Sequence, residues 1–231
     1  MSLTNVLTVQ VRPGDALRYI ELAQQLAKQA VAKKESFHWT AHRTVLGAQG
    51  PLLHFVSQAE NYAAIASRGA PEEMFARVLG AKVIDWQNEV LACTELQRNT
   101  ISVDRPDLSY PPERRVDAEH PIAVITTLRV GAGGNEAAEE LLRKIAEAIP
   151  KVDDPARIVT FQTVIGDLRE YWTVRPLRDL ADLDRQRQPA QLLIDAFGAG
   201  EGGLVFRTAM SAIESVDRQI VQYVPELSNP A

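Results

Sequence analysis

Three of the four histidines of this chain, His38, His42 and His54, fall in one short stretch. Imidazole is the side chain whose proton affinity lies nearest neutrality, so histidines close together can act as a general base or as ligands. Thr40 and Arg43 lie among them, and the threonine could orient a small substrate. His38, Thr40, His42, Arg43 and His54 are therefore the candidate pocket. A metal centre is not expected, because no carboxylate sits on the same segments to complete a ligand set. The competing reading is a set of hydrogen-bonded strand histidines with no chemistry of their own.

The elements that would carry these residues can be read from spacing. Phe37 to Leu46 is rich in aromatic residues and threonine and reads as a strand; 51–57 reads as another, and Gly47 to Gly50 turns between them. On a strand, His38 and His42 share one face. A hairpin without a bulge sets His42 opposite Phe55 and His54 opposite Arg43, leaving these two histidines on opposite faces. A one-residue bulge brings them together, and both registers stay open. Before the hairpin, Leu7 to Arg12 alternates as a strand. A helix then follows from Asp15, with Leu17, Ile20, Ala23 and Ala27 on one face. After it come a short helical stretch at 62–67, a long helix from Pro71 that Gly80 could interrupt, and a strand at Ile101 and Val103.

The same order, β-α-β-β-α-β, then repeats. A strand is expected at 122–129, a helix from Asn135 to a stop at Pro150, and a hairpin of 157–165 and 169–174. Helices at 189–197 and 204–216 and a last strand at 219–223 follow. Short matches recur at a nearly constant offset. Arg12 matches Arg129 at 117; Pro71 matches Pro189 and Gly80 matches Gly198 at 118. Val45-Leu46-Gly47 matches Val164-Ile165-Gly166 at 119. The phrase Pro-acidic-Leu-Ser closes both halves, at Pro106 to Ser109 and Pro225 to Ser228. Colinear matches in one narrow band are the mark of duplication.

Each half has the order of a split βαβ, ferredoxin-like unit, whose sheet carries helices on one face only. The expected fold is α+β: two ferredoxin-like repeats, 1–110 and 121–231, joined by a 111–120 linker and packed sheet to sheet as an intrachain α/β barrel. On these repeats the chain resembles tandem dimeric α/β-barrel proteins. Through the His38-Trp39-Thr40-Ala41-His42-Arg43 strand and the Gly47 turn it resembles the NIPSNAP-like group. The resemblance implies a superfamily that holds monooxygenases, isomerases, haem enzymes and proteins without known activity. Its chlorite-dismutase-type haem members ligate iron through a histidine of the second repeat. This chain has no histidine after His120, so no haem and no other cofactor is expected. A small organic molecule bound between the repeats, with cofactor-independent oxygenation or isomerisation, is the leading expectation. The alternative is a non-catalytic interaction or oligomer-forming protein whose inter-repeat space is filled.

Composition sets the outer bounds. A net charge of −5 over 231 residues argues against nucleic acid as a partner. The single cysteine, Cys93, cannot form an intramolecular disulfide, and its apolar helical surroundings suit a buried thiol. With no run of 18 apolar residues and no basic-then-apolar leader, neither a membrane nor an export signal is expected, and a cytoplasmic location follows. Exposed sheet edges would favour a homo-oligomer. The glycine-rich 131–134 stretch lacks the order of a phosphate loop and reads as a turn. Of Tyr171 and Trp172, adjacent on a strand, one must face each way.

Overall fold

The computed structural model describes residues 2–69, 71–111 and 120–230. Most of the expected linker, at 112–119, lies outside the described residues. The first half runs β1 (Leu3–Val11), α1 (Ala16–Ala32), β2 (Thr40–Leu46), β3 (Leu52–Ala59), α2 (Tyr62–Ser67), α3 (Pro71–Leu79), α4 (Val83–Cys93) and β4 (Thr94–Asp104). The second half runs β5 (Ile122–Val130), α5 (Asn135–Lys151), β6 (Val159–Ile165), β7 (Glu170–Leu177), α6 (Asp182–Arg185), α7 (Pro189–Ala212) and β8 (Ile213–Tyr223). Among the described residues the strands close into a barrel in the order β1-β3-β2-β8-β5-β7-β6-β4.

By its contacts the chain divides into two compact units. Unit 1 holds 1–102 and 222–231, and unit 2 holds 103–221. In unit 1, β3 pairs antiparallel with both β1 and β2. Successive strand residues point to opposite faces. Val9, Val11, Trp39, Ala41 and Leu53 enter the core beneath the helices, with Leu22, Ala27, Val78 and Trp86. The buried face of α1 is Tyr19, Leu22, Ala23, Leu26, Ala27 and Ala30, while Leu17 stays 79% exposed. The helix is thus rotated from the stripe its sequence suggests, because the Tyr19 and Leu22 side chains fill the core better than Leu17 could.

In unit 2, β7 pairs antiparallel with β5 and β6, and α5 packs on α7. Tyr171 is fully buried against Leu128, Val130 and Leu142, while Trp172 on the other face stacks on Phe161 at 3.9 Å. Gly80 and Gly198 break their helices with φ of 60° and 83°, values a side chain resists. Gly134 is small for packing reasons: an added Cβ would lie 2.8 Å from Val130 and 2.9 Å from the Ala212 carbonyl.

Several boundaries differ from the sequence reading. β2 begins at Thr40 rather than Phe37, since Trp39 makes only an isolated bridge to Asn229. β4 and β8 begin at Thr94 and Ile213, directly after their helices and well before the expected strand starts. Pro150 does not stop α5. It lacks only its own N–H, and Val152 still donates to Ala148 O at 3.2 Å, so the helix reaches Lys151.

The Pro-acidic-Leu-Ser phrase forms a 3-10 turn in both places, Pro106–Leu108 and Pro225–Leu227. In unit 2, Leu108 is buried against Leu128, Val130 and Tyr171, and Ser109 Oγ accepts from Thr160 N–H at 3.0 Å while donating to Arg105 O. In unit 1, Leu227 is buried in the core; Ser228 Oγ accepts from Ala41 N–H at 2.9 Å and donates to Val224 O. Each serine satisfies a buried backbone donor. Ser228→Ala should leave the Ala41 N–H unpaired and cost about 1–3 kcal/mol, measured by urea denaturation.

Candidate active site

The β2–β3 register pairs Thr40 with Val56, Ala41 with Phe55, His42 with His54 and Arg43 with Leu53. Of the two registers open to the sequence, this is the one that joins the histidines. On the other side of β3, Thr8 of β1 pairs with His54. Ala41, Leu53 and Val9 point to the helices. By alternation Thr8, Thr40, His42, Thr44 and His54 share the face turned away from them.

The bonds along that face are short-range and local. Thr8 Oγ1 meets His54 Nδ1 at 3.1 Å, and Thr44 Oγ1 meets His54 Nε2 at 3.1 Å. Thr40 Oγ1 meets His42 Nε2 at 3.2 Å. Hydroxyls can donate or accept, so His54 can remain neutral with both its partners satisfied and His42 with its one. Among the described residues His42 Nδ1 has no hydrogen-bond partner. With Nε2–H donating to Thr40, the Nδ1 lone pair is free. Burial and the neighbouring His54 push the His42 pKa down to about 4. His42 is therefore neutral at pH 7. The ring of Tyr223, on the β8 segment that belongs to unit 1, lies 5.6 Å from that of His42 at 48°.

The other two candidates stand elsewhere. Arg43 alternates to the helix side, where Nε and Nη2 donate to Gln222 Oε1 at 3.1 and 2.7 Å. His38 precedes β2, is exposed, and lines a cleft of about 410 Å³ with Val31, Lys34, Glu35, Ser36, Asn229 and Pro230. It is parted from His42 because Trp39 is tied to Asn229 and, through Nε1, to Leu227 O at 2.7 Å. Sequence reasoning missed Thr8, Thr44 and Tyr223. Thr44 was legible by alternation with Thr40 and His42, and Thr8 needed only the β1–β3 register. Tyr223 has no local signal.

A fold of this kind has many solved relatives. A protein assigned as a monooxygenase in Lactobacillus acidophilus NCFM superposes with a TM-score of 0.57 at 10% identity, over 96% of this chain and 93% of that one. An anthrone oxidase-like protein gives 0.59 at 15% identity, over 96% and 91%. Chlorite dismutase from Candidatus Nitrospira defluvii gives 0.53 at 10% identity, over 97% and 92%. The likeness is one of fold. No protein-family model matches the chain, and no curated protein does.

The fold is that of the dimeric α+β barrel proteins. The donor set does not fit an iron held by histidine in the second half, since no histidine follows His120. Among the described residues no group of three or more His, Cys, Asp or Glu side chains is placed to hold a metal ion. Among the same residues no helix is long and apolar enough to cross a membrane. Cys93 is buried, and burial raises its thiol pKa, which leaves it a poor nucleophile.

Proposed function

We propose that the histidine face of unit 1 binds a small organic molecule and that His42 is its general base, in a cofactor-independent monooxygenase or isomerase. One observation carries this reading: a half-buried imidazole that is neutral at pH 7 and has an unpartnered Nδ1. Such a nitrogen can take a proton from an acidic C–H or O–H. Its low pKa weakens its pull on that proton in the empty site. A developing substrate anion beside the ring would favour the imidazolium and offset this. In the oxygenase form O2 is the oxidant, and one anthrone with one O2 gives one anthraquinone and one water. In the isomerase form the same proton returns at another carbon. The names borne by the structural relatives supply anthrone as the first probe.

The test is oxygen uptake with anthrone as substrate, alongside NMR of the histidine rings with anthrone and 1-naphthol. Uptake above the buffer rate, lost by about 10²–10⁴-fold in His42→Ala, is the expected result. Absence of both turnover and ring shifts would overturn it. That outcome would favour a second reading, a non-catalytic protein in which the histidines knit the sheet. Its support is His54, whose two ring nitrogens already bond Thr8 and Thr44.

Within the same proposal, 1–110 and 121–231 are tandem ferredoxin-like repeats about a 111–120 linker. The paired phrases and the paired glycine breaks support this. The NIPSNAP-like affinity rests on the His38–Arg43 stretch, the Gly47 turn and the apolar strand after it. A cytoplasmic, self-associating protein completes the proposal.

A further inference from the structure

Resting on that reading of the site, we infer that Tyr223 is a positioning residue for His42: its ring holds the imidazole in place and keeps water from it. The 5.6 Å separation and 48° tilt set the two rings in contact without a hydrogen bond between them. Tyr223 is half-buried, and among the described residues its hydroxyl has no hydrogen-bond partner. The ring is therefore held by the backbone that delivers it.

That backbone is unusually well tied. Val224 N–H donates to Ala41 O at 2.8 Å, and Ala41 N–H donates to Ser228 Oγ at 2.9 Å. Trp39 and Asn229 exchange backbone bonds of 2.9 and 3.0 Å. Asn229 Nδ2 donates to Glu35 O at 3.1 Å and to Phe37 O at 2.8 Å. Gln222 Oε1 accepts from Arg43, the residue after His42. Bonds thus flank Tyr223 on both sides and reach the strand that bears His42. Among the described residues, His54 from β3 is the titratable group whose charge acts on His42, and Tyr223 from β8 lies against its ring. His54 adds a like charge only when protonated. Exclusion of water is the larger cause of His42's low proton affinity, and Tyr223 is the aromatic ring beside it.

The experiment is NMR titration of the histidine rings in the full chain. Wild-type His42 is expected to titrate near pH 4 and to show a ring-to-ring NOE with Tyr223. Tyr223→Phe keeps the ring and should leave that titration in place. Tyr223→Ala should raise it by at least one unit, a tenfold gain in proton affinity, with the His54 resonances showing that the fold is kept. Ser228→Ala, which loosens the segment without touching either ring, should shift it the same way by less. A Tyr223→Ala protein whose His42 still titrates near pH 4 overturns the inference. Should Tyr223→Ala fail to fold, absence of the NOE in wild type overturns it instead. A wild-type His42 that titrates near 6.5 also overturns the inference, since water is then not kept from the ring, yet it leaves a neutral base at pH 7. The base assignment falls only with the absence of turnover and ring shifts with anthrone, a distinct outcome.

Discussion

Between pH 6.5 and 4 the protein should lose up to about 3 kcal/mol of stability to a single side chain, His42, less the screening at its exposed edge. The sign follows from the direction of the shift. In the folded state His42 stays neutral down to about pH 4, whereas the unfolded chain takes up a proton near 6.5. Between those values the unfolded state binds more protons, so stability is full above 6.5 and falls as pH drops towards 4. Carboxylates whose pKa is lowered, among them Glu35, Asp107 and Glu139, add their own loss only below their ordinary range. The two windows therefore separate. Urea denaturation at pH 7.0, 5.5 and 4.5 should show the decline in wild type and a much flatter profile in His42→Gln. Equal slopes in both proteins would remove His42 as the cause.

The second large effect is in unit 2. Arg105 donates through Nη1 to Glu139 Oε1 and through Nη2 to Glu139 Oε2, at 2.8 and 2.9 Å. It also donates to Gln162 Oε1 at 2.8 Å and to both carboxylate oxygens of Asp107. Tyr171 OH donates to Glu139 at 2.7 Å and accepts from Gln162 Nε2 at 3.0 Å. The Arg105 side chain is only 18% exposed, so its loss strands Glu139 among partners that cannot neutralise it. Arg105→Ala should cost about 2–4 kcal/mol, near the range for breaking a largely buried pair. Removing both charges as Arg105→Met with Glu139→Gln should cost less than the single change. A double-mutant cycle of Arg105→Met, Glu139→Gln and the two together, followed by chemical denaturation, measures the coupling, and an additive cycle would refute the network.

How much of this was legible in the sequence depends on range. The alternation of β1 and the periodicity of α5 are set by near neighbours: α5 runs one residue past its expected end, and β1 ends at Val11, one residue short of the pattern, but starts at Leu3, four residues before it. The His42–His54 pairing was half legible: strand content marked the hairpin, but register turned on one residue in the Gly47–Gly50 turn. Such a slip moves every side chain to the other face. The Phe37–Trp39 stretch misled because its aromatics have strand propensity, while their actual partners are the Glu35 carboxylate, the Leu227 carbonyl and Asn229. Tyr223 was beyond reach for the same reason. Its neighbour His42 lies about 180 residues earlier in the chain, and no local pattern encodes such a meeting.

The division of the chain into 1–102 with 222–231, and 103–221, bears on the order in which the protein is made. Unit 2 is one unbroken stretch, and everything its core needs has been synthesised by Val221. Unit 1 has most of its residues first but lacks Leu227, Ser228 and Asn229 until unit 2 has been made. Until then the Trp39 indole, the Ala41 amide and the Glu35 carbonyl lack their native partners. The histidine face is thus built early and locked late. A released chain truncated after Val221 should carry a protease-resistant second unit and a first unit still open to cleavage around β2.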